Sequence, residues 1–535
     1  MTHRKVEADV ILIGGGITAA MAAARLTERR PGLRTIVVEA GHRLFDFENR
    51  MGYRERYLAY GENPWPGDFI EDQGGQGIIS RSMAVGGAAM HWGGVTNRFS
   101  REDTRLRSLY GLAVDWPIEW EDLERYYCDA ERQLGVGGEE PPLPEDKRSE
   151  PYPMPAMPLS YNLKTLKTWS EKSSIPFWAT PAAKNTVDGY DGRSICKRCN
   201  TCEVCPTGAR YSPDWTFKKL LEQKRIELHD RTLVRRLVPH DTTNRIVRAE
   251  AVKEDGTGDT VTYEAGTFLL TGGYAWSSHL LLLSAGGRFP NGLANSSGLV
   301  GRYMTGHSFI QAWIEMDAQL YPGMNDQHSL ISRQFFRCAP SSPFVRHDLR
   351  VWESSLAKGP RLKNESGAYL FGDDLLADWR KRTRGRAVAR VRTYLDVHPD
   401  RESRLTLDRG NRNRWGDSMP RIEHRLDAPT LARRDADRTH VSALFDRLAG
   451  ADNGRVLRTN EGDYLDHPGG GCRMGTDPAA SVVDSYGRTH DHENLWVLGS
   501  PTLPTGGCTN GTLTFVALTL RSAEKVAGAP AIPSR

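Results

Sequence analysis

Ala8-Asp9-Val10-Ile11-Leu12-Ile13-Gly14-Gly15-Gly16-Ile17-Thr18-Ala19-Ala20 is an apolar run that stops on three glycines and resumes as an alanine-rich stretch reaching Glu28. A second apolar run, Arg34-Thr35-Ile36-Val37-Val38, follows and ends at Glu39. Strand, glycine turn, helix and strand in about thirty residues predict a parallel βαβ unit. In Gly14-x-Gly16-x-x-Ala19 the glycines permit a tight turn and a close backbone approach, so that the free N–H groups of the following helix face a pyrophosphate. Glu39 lies about twenty residues further on, where a carboxylate accepts hydrogen bonds from ribose hydroxyls. The unit therefore predicts a bound dinucleotide and does not by itself separate FAD from NAD.

A chain of 535 residues exceeds one compact core, so two domains, or one with a large insertion, are expected, with room to enclose a cofactor. The net charge is +4, from 71 basic and 67 acidic residues scattered along the chain, which gives a nucleic-acid role little support. The densest basic stretch, Trp379 to Arg392, reads as a solvated helix face ahead of a docking site for an acidic partner. No run of about 18 apolar residues occurs, and MTHRKVEADV lacks the apolar centre of a secretory signal, so no membrane span is expected and the chain reads as soluble and cytoplasmic.

The Pro-rich stretch from Gly137 to Ser160 excludes a regular helix or central strand and reads as a surface excursion marking an insertion. Ser403–Leu407 and Pro420–His424 look like strands joined by a turn-rich segment, predicting an antiparallel sheet outside the nucleotide-binding part.

Three further segments resemble the glucose-methanol-choline (GMC) oxidoreductases. His467-Pro-Gly-Gly-Gly-Cys-Arg-Met-Gly475, Asn494-Leu-Trp-Val-Leu-Gly499, Pro504-Thr505-Gly506-Gly507 and Thr509-Asn510-Gly-Thr-Leu-Thr514 follow one another in the family's order. Arg81 to Gly94, with Gly86-Gly87 and His91-Trp92-Gly93-Gly94, resembles its second flavin-contacting loop, and Thr271-Gly272-Gly273 resembles the return to the FAD domain. Within the family, the His–Trp pair, Arg473-Met474-Gly475 and Leu498-Gly499 are most similar to the pyranose oxidase, gluconate dehydrogenase and bacterial FAD-glucose dehydrogenase branch; Gly511 departs from it, since proline usually follows the asparagine there.

The resemblance implies an α/β fold: a Rossmann-like FAD-binding domain, from residues 1–100, 230–304 and 461–535, with a second α+β substrate domain on an antiparallel sheet, from residues 101–229 and 305–460. It implies FAD contacts at Gly86, Gly87, His91, Trp92, Gly93, Val234, Gly499, Ser500, Asn510 and Thr512, beside those of Gly14, Gly16, Ala19 and Glu39. In pyranose oxidases the histidine of a similar His–Trp segment is bonded covalently to flavin, while other relatives keep it unbonded, so His91 is a candidate for either state. Oxidising an alcohol by hydride transfer to flavin N5 also requires a base for the hydroxyl proton. His467 stands where the family has its catalytic histidine, and Asn510 stands at a second position that is His or Asn among relatives.

Four of the eight cysteines form Cys196-x-x-Cys199-x-x-Cys202-x-x-Cys205-Pro206 within segment 196–206. The spacing resembles that of ferredoxins and predicts an iron–sulfur cluster, [3Fe–4S] or [4Fe–4S]. A structural zinc, disulfides and unligated thiols are the alternatives, although the loop that normally separates zinc's cysteine pairs is missing. Some bacterial FAD-glucose and fructose dehydrogenases hold such a cluster in this region. A cluster implies electrons passing to an external acceptor such as a cytochrome, and relatives of that kind travel with a small subunit carrying the export signal, which would take the chain to the periplasm. The expected activity is FAD-dependent oxidation of a sugar, polyol or glycoside hydroxyl. An oxygen-using oxidase of a glycoside or amino sugar, and a non-catalytic redox flavoprotein, are the alternatives.

Overall fold

The computed structural model describes residues 2–44, 49–62, 71–73, 81–321, 328–338, 343–354, 362–364, 366–384, 386–463 and 466–529. The predicted βαβ unit is present: strand His3–Ile13, helix Ile17–Arg29 and strand Thr35–Val38, with Val10 in register with Thr35 and Ile13 with Val38. Ile11 and Ile13 point into one apolar core and Val10 and Leu12 into another, so this strand is buried on both faces, as a parallel strand covered by helices must be.

The sheet runs in the order Glu227–His229, Thr35–Val38, His3–Ile13, Thr260–Leu270, Ile246–Lys253 and Thr232–Pro239. Strand Thr260–Leu270 pairs along His3–Ile13 on one side. On the other, its first half pairs antiparallel with Ile246–Lys253 and its end pairs parallel with Leu495–Val497. Helix Thr512–Gly528 packs across the sheet together with helix Trp120–Leu134, whose Leu123, Tyr127 and Leu134 share a core with Leu513, Val516 and Leu520. The first sheet thus draws in residues 120–134 and 227–229 from the stretch expected to form the substrate domain.

A second sheet is wholly antiparallel and orders Arg455–Gly462, Ser308–Met316, Ala387–Leu395, Leu349–Glu353, Leu330–Ser332 and Trp178–Ala179. Alternation decides its faces. Ile310, Ala312, Ile314, Leu349, Val351, Ala389 and Val391 turn to a core built with helices Tyr161–Glu171 and Ala428–Gly450. Their neighbours Arg350, Trp352, Arg390, Arg392 and Tyr394 turn to the other face, into a cavity.

Two expectations are sharpened. The predicted hairpin exists, as Arg404–Arg412 paired antiparallel with Ser418–Glu423 in a sheet of its own, and it packs on the first sheet's helices: Leu405 and Ile422 share a core with Tyr274 and Ala275 of helix Gly273–Leu283. The Pro-rich stretch lies mostly at the surface and holds no regular helix, as expected, but it is anchored. Gly137–Gly138 pairs with Met154–Pro155, and buried Arg148 reaches the Glu131 carboxylate with two guanidinium nitrogens, which tethers the segment to helix Trp120–Leu134. Among the described residues no helix is long and apolar enough to cross a membrane.

Candidate active site

A cavity of about 790 Å³ opens at the carboxyl ends of the parallel strands and extends to the exposed face of the antiparallel sheet. One end is built from the glycine turn. Gly14 has φ +102°, and a Cβ on it would fall 2.5 Å from Gly272 Cα, because the return loop crosses there. Thr271 fastens that crossing, its Oγ1 donating to Gly14 O at 2.6 Å. Gly16 caps helix Ile17–Arg29 without a side-chain hydrogen bond and has nothing within 4 Å of where a Cβ would sit, so the first-turn amides face open space.

Glu39 is buried, and both its carboxylate oxygens accept backbone amides, from Gly15 at 2.6 Å and Gly41 at 2.8 Å. Burial pushes its pKa up while those amides pull it down. Its place at the end of the second strand, lining the cavity, is where a nucleotide ribose would lie. A cradle closed to side chains, a helix N-terminus and a buried carboxylate together fit FAD.

The second loop docks on the first: Gly86 N–H donates to Gly15 O at 2.7 Å. From this loop Gly86, Gly87, His91, Trp92 and Gly93 line the cavity, as do Val234, Ser500, Asn510 and Thr512 from other parts of the chain. Ala19 and Gly499 stand behind the wall. Ala19 is packed between helix and sheet, and a Cβ on Gly499 would fall 2.5 Å from Thr18 Oγ1, so both serve close packing.

At the other end His467 and Asn510 meet. His467 has φ +53°, a conformation uncommon outside glycine and held here by its surroundings. The Asn510 amide is oriented by its partners. Arg350 can only donate, and its Nη2 contacts Asn510 Oδ1, so Asn510 Nδ2 must point at His467 Nε2, 2.8 Å away. The neutral imidazole then accepts at Nε2 and carries its proton on Nδ1. Burial, with Arg350 and Arg392 nearby, lowers the His467 pKa to about 3, so the ring is neutral at physiological pH.

Arg350 is held in turn by buried Asp348, at 2.8 Å from Nε and 2.7 Å from Nη2. Tyr394 stacks on His307 at 4.6 Å and donates its hydroxyl to Asp466, while His307 approaches His467 edge-on at 5.2 Å. Gly511 has a local reason: a Cβ there would lie 2.7 Å from the Phe515 ring, which lines the cavity.

Sequence reasoning did not reach Arg350, Trp352, Arg390, Arg392, Tyr394, Asp466 and His307. The stretch read as a solvated basic helix face divides into helix Gly372–Arg384 and strand Ala387–Leu395, and the alternation Arg390-Val391-Arg392-Thr393-Tyr394 was the available signal.

The cysteine reading finds no support. Cys196 and Cys199 are half-buried, Cys202 and Cys205 buried, and no disulfide joins any of the four. Among the described residues no group of three or more His, Cys, Asp or Glu side chains converges to hold a metal ion, so neither an iron–sulfur cluster nor zinc is supported. The backbone turns left-handed at Arg198 and Asn200 and curls into a short 3-10 turn over Cys202–Val204. The segment buttresses the second loop instead. Buried Arg210 donates to Cys202 O at 2.7 Å, Ala89 O at 3.0 Å and Met90 O at 2.6 Å, immediately before His91.

Residues 399–519 match a family model described as GMC oxidoreductase. Along nearly its whole length the chain is similar to the fructose dehydrogenase large subunit of Gluconobacter japonicus, at 29% identity over 98% of this chain and 99% of that one. It is also similar to paromamine 6'-oxidase of Streptomyces fradiae, at 30% identity over 97% of this chain and 91% of that one. Among solved structures, pyridoxine 4-oxidase from Mesorbium loti shares the fold with a TM-score of 0.61, covering 98% of this chain and 100% of that one at 18% identity.

Proposed function

Because the chain belongs to the GMC oxidoreductase family, FAD-dependent enzymes that act on CH–OH groups, we propose that it oxidises a hydroxyl of a sugar, polyol or glycoside to a carbonyl, with His467 as the base. FAD, when bound, supplies the hydride acceptor. Gly14, Gly16 and Glu39 would hold its pyrophosphate and ribose, and Gly86, Gly87, His91, Trp92, Gly93, Val234, Ser500, Asn510 and Thr512 would complete its walls, with Ala19 and Gly499 closing the packing behind. In this reading residues 1–100, 230–304 and 461–535, with helix Trp120–Leu134 and strand Glu227–His229, form the cofactor-binding part, and the antiparallel sheet carries the substrate face.

The observation that carries the proposal is the His467–Asn510 pair, poised at 2.8 Å at the end of the cavity opposite Glu39. A substrate hydroxyl entering between them gives its proton to Nε2 and accepts from Asn510 Nδ2, so the oxygen's developing charge meets a donor already aimed by Arg350. A non-catalytic flavoprotein would have no use for that arrangement. His467→Ala should lower the anaerobic rate of flavin reduction by about 10²–10⁴-fold while FAD stays bound. Reduction within tenfold of wild type would overturn the assignment.

Relatives named as dehydrogenase and as oxidase support both kinds of electron acceptor, and oxygen uptake against dye reduction decides between them. A relative named as a large subunit supports a partner subunit for this chain.

A further inference from the structure

We propose that the alcohol oxidised here carries an anionic group, a carboxylate or a phosphate, held by Arg390 and Arg392. The inference rests on the alcohol-oxidising reading above and narrows its substrate class.

Strand Ala387–Leu395 gives its odd-numbered residues Ala389 and Val391 to the core and its even-numbered residues Arg390, Arg392 and Tyr394 to the cavity that His467 and Asn510 share. Its neighbours add to the charge. Arg392 lies directly opposite Arg350 on one adjoining strand and Gln311 on the other; Arg390 lies opposite Trp352 and Trp313. Like charges directly opposite each other destabilise a sheet, so this placement needs a compensating anion.

The protein supplies too little of it. Asp348 is committed to Arg350 at 2.7 Å. Asp466 takes the Tyr394 hydroxyl and stands 3.8 Å from Arg392, which makes no hydrogen bond among the described residues. Arg390 donates Nε to Gln311 Oε1 at 2.9 Å and has no carboxylate partner among the described residues. Three guanidinium groups on this wall therefore meet two carboxylates, one of them spent.

Stacking explains part of the arrangement: Arg390 sits 5.4 Å from Trp352 and 5.8 Å from Trp313. Indole faces satisfy the guanidinium's faces and leave its in-plane N–H groups for an acceptor. Arg392 faces Tyr394 at 4.3 Å in the same way. Two adjacent forks with open edges, half-buried beside the base, match the planar oxygens of a carboxylate or phosphate.

An anion there would also serve the chemistry. Arg350 and Arg392 disfavour a proton on His467, and a negative substrate group offsets them as the imidazole takes up the hydroxyl proton.

The test uses the FAD-loaded enzyme. Anaerobic flavin reduction is followed with gluconate and glucuronate, with glucose 6-phosphate, with neutral glucose and sorbitol, and with cationic glucosamine. One anionic arm should exceed the neutral polyols by about ten- to a hundredfold in rate over Kd, the worth of a charge-assisted hydrogen-bond pair. Which arm wins tells carboxylate from phosphate. Separately, acetate and inorganic phosphate are titrated by calorimetry. Arg390→Gln and Arg392→Gln should each weaken the preferred ion about tenfold, and Arg390→Lys, keeping charge without the fork, should restore part of it. Equal rates for neutral and anionic polyols, or ion binding indifferent to all three variants, would overturn the proposal. If no alcohol of any charge bleaches the flavin, the oxidation reading fails, and the calorimetry still decides the anion site.

Discussion

Replacing Arg350 by Met separates what this residue does for the fold from what it does for Asn510. Its side chain is 2% exposed and that of its partner Asp348 is 1% exposed, so the substitution strands a buried carboxylate. Breaking one side of a buried pair costs about 3–5 kcal/mol, and the Tm should fall by several degrees. The double variant Arg350→Met, Asp348→Asn removes both charges and should recover at least half of that loss, since the new side-chain amide oxygen can still accept the Tyr394 backbone N–H that Asp348 Oδ1 now accepts at 2.7 Å. Catalysis should not recover with it. In both variants Asn510 Oδ1 lacks the donor that fixes the amide, and the rate of flavin reduction should fall by about ten- to a hundredfold, the worth of one charge-assisted hydrogen bond. Thermal unfolding and anaerobic stopped-flow absorbance on the same preparations give the two readouts. A double variant that regains stability and reduction rate together would refute the claim that Arg350 positions the amide.

Because His467 is neutral in the fold with a pKa of about 3 against 6.5 when exposed, its contribution to stability is complete above about pH 6.5 and is lost as the pH falls from there toward 3. His467→Gln should flatten that part of the Tm-against-pH curve, and an unchanged curve would contradict the buried neutral ring. For the same reason, the rate over Kd for a neutral alcohol should stay level from pH 7 to about pH 4 in wild type, as read by stopped-flow. Gly14→Ala, whose Cβ would overlap Gly272, should yield protein without bound FAD as judged by its visible spectrum; full flavin occupancy would mean that the crossing is looser than described. Cys199→Ser should leave dye-linked turnover within about threefold of wild type, since half-buried substitutions away from a site change little; loss of turnover with flavin bleaching intact would reinstate a metal relay through the cysteines.

The cofactor end was legible because its signals are local. A glycine turn after an apolar run, with an acid at a set distance, has few other uses, and Gly14, Gly16 and Glu39 meet as that logic requires. The resemblance brought in His467 and Asn510, 43 residues apart in sequence and 2.8 Å apart in space. The arginine-lined wall of the cavity was not legible, because charge density outweighed alternation between Trp379 and Arg392: the same arginines fit a solvated helix until Ala389 and Val391 are seen to face a core. The cysteine spacing is a weaker guide, because regular intervals place ligands only where the backbone brings the sulfurs together, and among the described residues no group of three or more His, Cys, Asp or Glu side chains converges to hold a metal ion.

Strand Thr260–Leu270 lies at the centre of its sheet, yet its partners come from the two ends of the chain, His3–Ile13 and Leu495–Val497, and the proposed base arrives only at residue 467. During synthesis the first partner waits on the ribosome for about half the chain, and the carboxyl edge of the central strand stays open until the last strand emerges. The cofactor pocket is thus among the last features to close, and until Leu495–Val497 pairs, the carboxyl half of the central strand is an open edge exposed to mispairing and proteolysis.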